Sequence, residues 1–149
     1  MALFNRLSLS ATVHCLTGCA IGEVLGLVLA TWWGWHDVAQ IALAVALAFF
    51  FGYLLTTLPL LRSGMTLREA APLAFASDTA SIATMEVVDN LIMVLVPGAM
   101  AAGLGEPLFW GSLAIALAIA GAIAWPLNGW LIARGRGHAV VHAHHGHAP

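Results

Sequence analysis

From Val38 to Leu61 the chain carries no charged residue. Such a run is longer than the roughly 20 apolar residues that a helix needs to cross a bilayer core about 30 Å thick. Three further stretches have comparable length and apolarity, and together they leave little of the 149 residues for anything else. Composition agrees: 61% of the chain is hydrophobic and 8% is charged, where a soluble domain carries about 25% charge. The mean hydropathy is +0.93. A chain of this kind cannot cover itself with polar groups in water, so the lipid bilayer is its expected partner and solvent. The net charge is -2 and there is no lysine, which excludes a basic nucleic-acid surface.

The expected fold is all-α: a polytopic membrane protein of four transmembrane helices in two hairpins, with spans at about 9–33, 38–61, 77–96 and 108–132. Residues 1–137 form this domain and residues 138–149 a His-rich tail. Thr66 and Glu69 have capping-box spacing, so a short interfacial helix is expected before the third span, limited by Pro72. Asp78 reads as an N-cap at the membrane surface. Pro97-Gly98 ends the third span. The Ala, Leu and Ile alternation of 113–124 has the period of a strand, but a lone strand cannot satisfy its backbone in lipid, so a helix is expected. Leu16-Thr17-Gly18-Cys19 fits a lipoprotein cleavage site. The polar Ser8, Ser10, Thr12 and His14, and the apolar run after Cys19, make a membrane span the better reading.

Orientation follows from the arginines. Arg6, Arg62, Arg68, Arg134 and Arg136 all fall on one side of the four-span arrangement. The positive-inside rule then places both termini in the cytoplasm of a multi-pass inner (cytoplasmic) membrane protein. Trp32, Trp33, Trp35, Phe109 and Trp110 make an aromatic belt at the outer surface, with Trp125 and Trp130 toward the inner one. Leu58-Pro59-Leu60-Leu61 resembles Trp125-Pro126-Leu127-Asn128, which suggests two repeats, each pairing an acid-bearing helix with an apolar one.

The chemistry lies in the spans. Cys15, Cys19 and Glu23 recur at i, i+4 and i+8 on the first, beside His14 and a Gly18, Gly22, Gly26 seam that lets another helix approach closely. Met85, Asp89 and Met93 recur in the same way on the third, beside Glu86 and Asn90. At about 1.5 Å per residue, with depth counted from Leu9 and Asp78, Cys15 falls near Glu86 and Glu23 near Met93. Glu23, Glu86 and Asp89 have no lysine or arginine inside the membrane. One carboxylate at the bilayer centre costs about 2.5–3.5 kcal/mol on insertion scales, and three cost roughly 8–10 kcal/mol. They must therefore be protonated, solvated or balanced by a cation. Cys15 and Cys19, four apart on one helix, are not placed for a disulfide. In the tail, His138, His142, His144, His145 and His147 form a second cluster suited to capturing zinc, copper or nickel.

The segments His14-Cys15-Leu16-Thr17-Gly18-Cys19, Ala76-Ser77-Asp78-Thr79-Ala80-Ser81-Ile82-Ala83-Thr84-Met85-Glu86, Trp125-Pro126-Leu127-Asn128 and Arg134-Gly135-Arg136-Gly137-His138 resemble the domain-of-unknown-function 4396 family of small prokaryotic membrane proteins. The resemblance spans roughly Val13 to His142. It implies a four-helix membrane domain, brings no established activity, and tilts the choice of metal toward copper.

Three functional readings follow. The favoured one is binding or transport of a transition-metal cation, copper ahead of others. Cys15, Cys19, Met85 and Met93 would be soft ligands, with His14, Glu23, Glu86 and Asp89 completing the site. The second is a proton or cation pathway through the carboxylates, in a chain expected to form a homo-oligomer through its glycine seam. The third is a non-catalytic accessory subunit whose polar stripes lock helices together. No Ser/His/Asp set, HExxH or CxxC motif is present, so an enzyme is not expected.

Overall fold

The computed structural model describes residues 3–135. It is all-α, with four long helices in chain order: α1 (Arg6–Trp32), α2 (Asp37–Arg62), α3 (Leu67–Leu95) and α4 (Pro107–Ala133). No strand occurs among the described residues. The 113–124 alternation is helical, as its length requires. Three of the helices, α1, α2 and α4, are long and apolar enough to cross a membrane. α3 is just as long, but Asp78, Glu86 and Asp89 interrupt its apolar sequence. Those acids are buried, while Phe75, Val87, Leu91, Val94 and Leu95 cover its outward face.

α1 and α3 begin where side chains supply partners for their orphan N–H groups. Asn5 accepts from the Ser8 N–H at 2.8 Å, and Ser8 Oγ accepts from the Asn5 N–H at 3.0 Å. At the start of α3, Glu69 accepts from both the N–H and the hydroxyl of Thr66, at 2.9 and 2.8 Å. These bonds favour the charged carboxylate and hold the Glu69 pKa below its ordinary value. Pro107 occupies the first position of α4, where its missing N–H forfeits nothing. Gly34, Gly64 and Gly98 adopt positive φ in the three connections, a conformation that side chains resist.

Two expectations about α3 are corrected. No separate interfacial helix precedes the span: a single helix runs from Leu67 to Leu95 with Pro72 inside it. Pro72 removes one helical hydrogen bond near the start of α3, which is not enough to break a helix anchored by the Glu69 cap. Asp78 is therefore not an N-cap. It lies about three turns beyond the capped start at Leu67 and is completely buried.

The packing seam of α1 is equally definite. A Cβ on Gly18 would stand 2.7 Å from the Gly52 Cα, one on Gly22 would collide with the backbone of Leu47 and Ala48, and Gly26 faces Ala44. α1 and α2 thus run antiparallel with their backbones in contact. The seam anticipated as an oligomer surface is occupied inside the chain, because α2 offers small residues at the matching positions. α4 also runs antiparallel to α1: Trp125 Nε1–H donates to Ser8 Oγ at 3.0 Å, Gly121 faces Leu16, and Gly129 lies against the Leu3 backbone. α1 and α3 run parallel, as their facing side chains show below.

Most of the aromatic side chains expected to form the belt lie on the surface of the bundle. Trp32, Trp33, Trp35, Trp110 and Trp130 are exposed, and Trp110 Nε1–H donates to the Leu104 carbonyl at 2.7 Å. Phe109 is the exception. It shares a face of α4 with Leu113 and Ala116 and turns inward with them, against Leu27, Ala44, Met93 and Ala99.

Candidate functional site

A column of polar side chains fills the space between α1 and α3, with contributions from α2 and α4. It starts at the end of the bundle that holds the start of α1 and the end of α4. There Ser8 accepts from Trp125. One turn along, the buried Asn128 amide donates to Thr12 Oγ1 at 2.9 Å and to Ser81 Oγ at 3.1 Å, tying α1, α3 and α4 at one point. Next comes Asp78. Its Oδ1 accepts from Ser77 Oγ at 2.9 Å and lies 3.8 Å from Cys15 Sγ. The Thr56 hydroxyl of α2 also reaches Asp78, and His14 lies nearby on α1. His14 Nε2 in turn meets Thr56 Oγ1 at 2.8 Å.

Beyond Asp78 the character of the column changes. Cys19 faces Glu86, and Glu23 faces Asp89. Glu86 keeps one donor, the Asn90 amide, 3.4 Å from Oε2. Neither oxygen of Glu23, neither oxygen of Asp89, nor Glu86 Oε1 has any hydrogen-bond partner. The three residues are 0%, 1% and 4% exposed for Glu23, Asp89 and Glu86. As carboxylates all three are acceptors only, so they cannot satisfy one another without a shared proton or a bound cation. The chain has no lysine, and Arg6, Arg62, Arg68 and Arg134 lie at helix ends, so among the described residues no lysine or arginine is available at this depth.

One turn further the column stops. Leu27 of α1 and Met93 of α3 follow Glu23 and Asp89 by one helical turn, and they pack with Ala44, Ala99, Phe109, Leu113 and Ala116 in an apolar cluster. The acids therefore sit at the limit of the polar column, against an apolar cluster.

The predicted stripes do face each other, but one to two turns out of the anticipated register. Cys15 meets Asp78 rather than Glu86, and Glu23 meets Asp89 rather than Met93. The cause is the extra length at the helix starts: α1 begins at Arg6 and α3 at Leu67, so depths counted from Leu9 and Asp78 have the wrong origin. The expected metal set is not assembled. Among the described residues no three of His, Cys, Asp and Glu converge as a metal site. The sulfurs serve packing instead. Cys15, Cys19 and Met85 pack with Ala48, Ile82, Ala120 and Ala124, and Met93 belongs to the apolar cluster with Leu27. Both cysteines are free thiols. His138, His142, His144, His145 and His147 lie outside the described residues.

Sequence reasoning overlooked Thr56 and the role of Asn128. Ser8 and Thr12 extend the Cys15, Cys19, Glu23 stripe backward at helical spacing, a signal that was available. Asn128 and Thr56 stand alone in apolar helices, and only the packing reveals that they converge on the column.

No curated protein and no solved structure matches the chain significantly. The sequence model of one family, described as "Domain of unknown function (DUF4396)", matches residues 5–137, which takes in all four helices and every residue of the polar column; the chain belongs to that family.

Proposed function

We propose that this protein is a four-span, multi-pass protein of the cytoplasmic membrane that conducts protons along the polar column to the Glu23, Glu86 and Asp89 cluster. The observation that carries this reading is the cluster itself: three buried carboxyl groups, five of whose oxygens have no donor, with no lysine or arginine beside them among the described residues. Intramembrane acids of this kind mark ion or proton routes. A proton leaving one carboxylic acid for a neighbouring carboxylate moves charge along the column without changing the total, and the hydroxyls of Ser81, Thr12 and Thr56 with the Asp78 carboxylate extend the route toward the termini.

The membrane placement has its own support. The outward face of α3 is apolar although its sequence is not, which suits a fourth span. With α3 in the membrane, the helices alternate in two hairpins, and the arginine distribution favours cytoplasmic termini. Self-association remains part of the reading, through the large exposed apolar side chains rather than the glycine seam. The role assigned is a conduit, with no catalytic step. A transition-metal centre has less support, because its sulfur ligands are spent on packing.

The test is proton flux into liposomes holding the purified protein, driven by a pH difference with valinomycin and potassium to balance charge. Glu23→Gln and Asp89→Asn should each reduce flux at least about tenfold, since an amide cannot accept and release a proton. Equal flux in wild type and both variants refutes the pathway. Lowered thermal stability with unchanged flux identifies the acids as helix-locking groups of an accessory subunit.

A further inference from the structure

One cavity reaches the acid cluster from the side. Between α2 and α3 lies a groove of about 300 Å³, lined by Ile41, Val45 and Phe49 on α2 and by Ala83, Glu86, Val87 and Asn90 on α3. Val87 is exposed at its lip, so the groove opens on the outer surface of the bundle, where the neighbouring side chains are apolar. Its walls are aliphatic except for the Phe49 ring. Its polar groups are Glu86 and Asn90, and Asn90 is already engaged: its amide donates to the Glu86 carbonyl at 2.9 Å and leans on Oε2. Glu86 is more than nine-tenths buried, and its Oε1 lacks any partner.

We infer that this groove binds a hydrophobic organic cation, an amine or quaternary ammonium with an apolar body, which enters from the lipid side and places its positive centre at Glu86. The charge argument is specific. A buried carboxylate with one oxygen unpartnered and only a long amide contact on the other attracts a cation strongly in a medium of low dielectric, and among the described residues no lysine or arginine lies near it. The wall argument is equally direct. An apolar surface with one charged group in a space of this size recognises a small apolar body that carries one opposite charge, and Phe49 adds an aromatic face of the kind that cations favour. A neutral lipid chain would fill the walls and leave Glu86 unbalanced. A hydrated inorganic ion would balance Glu86 and leave the walls unfilled.

Binding at equilibrium needs no proton movement, so this inference stands or falls separately from the proton pathway, although both use Glu86. The experiment is equilibrium binding of radiolabelled benzyltrimethylammonium to the full-length protein in non-ionic detergent. Its uncharged carbon isostere, neopentylbenzene, serves as competitor. Wild type should bind the cation, with the isostere competing at least about tenfold more weakly. Glu86→Gln should lose that preference, and Val45→Trp, which fills the groove and leaves the carboxylate in place, should abolish binding. Size-exclusion profiles establish that each variant is folded, and Val45→Trp keeps the question answerable if Glu86→Gln is not. Absence of cation binding in wild type, equal competition by the isostere, or undiminished binding in folded Val45→Trp overturns the inference.

Discussion

The two halves of the bundle core are built on opposite terms. In the half nearer the termini, Ser8, Thr12, Thr56, Ser77, Asp78, Ser81 and Asn128 sit inside the structure, and hydrogen bonds join them, most of them across helices. In the half nearer the 33–36 connection, Leu27, Ala44, Met93, Phe109, Leu113 and Ala116 form a core of hydrocarbon and one thioether. Glu23, Glu86 and Asp89 occupy the boundary. Polar groups in a membrane interior are tolerated when each has a partner, and an apolar plug needs none. Only the boundary violates both rules, which is why function is assigned there. The contrast also says what kind of route is proposed: one that penetrates partway and is closed by packing rather than by charge.

The largest expected effect tests the wall that both halves share. Gly22→Leu must force α1 from α2, since even a methyl group there meets the Leu47 and Ala48 backbone. Overpacking of this kind costs typically about 1–3 kcal/mol and more against rigid backbone; loss of the monodisperse peak, or a fall in thermal unfolding midpoint larger than any below, is the outcome to look for. Next, Leu27→Ala removes part of the apolar plug. Lost packing should destabilise by about 2–3 kcal/mol, yet proton flux should rise, because the route then extends past Glu23. Flux that falls in proportion to stability would remove the distinction between the two halves. Asn128→Ala acts on the polar half. The Thr12 and Ser81 hydroxyls lose a shared donor, and interhelical hydrogen bonds in membranes contribute about 0.6 kcal/mol on average and up to about 1.7 kcal/mol. A loss in that range, read by denaturation in mixed micelles, agrees with two such bonds.

Much of this was legible in the sequence and some was not. Helix number and approximate limits follow from hydropathy, because a bilayer leaves a chain few alternatives. That Cys15, Cys19 and Glu23 face Met85, Glu86 and Asp89 follows from helical period and the glycine seam beside them. Register does not follow, because it depends on where each helix starts, and a proline at position 72 reads locally as a boundary while the Thr66–Glu69 cap in fact starts the helix before it. The metal reading gains no support for a related reason: cysteine and methionine suit both ligation and packing, and spacing along one helix does not say which neighbours it will have. Thr56 and Asn128 were silent because a single polar residue in an apolar helix carries no period.

The smallest effect belongs outside the membrane, at the Thr66–Glu69 cap. The folded pKa of Glu69 is depressed, so its contribution is present above the unfolded carboxyl pKa and is lost as pH falls through the lowered folded value. Glu69→Ala should therefore lower the unfolding midpoint slightly at pH 7, and the difference from wild type should vanish in acid. A difference independent of pH would show that the carboxylate charge is irrelevant to the cap.

The contact of α1 with α2 has a consequence for how this chain can vary. Along the line of Gly18, Gly22 and Gly26 a single added methyl group has nowhere to go, so substitution there is nearly forbidden. Ile21 and Leu25, on the outward side of the same helix, are exposed and can exchange with other apolar residues at little penalty. The information that specifies the fold of α1 is thus concentrated on one narrow strip, and the polar stripe that carries the chemistry is written beside it on a helix that tolerates no rotation.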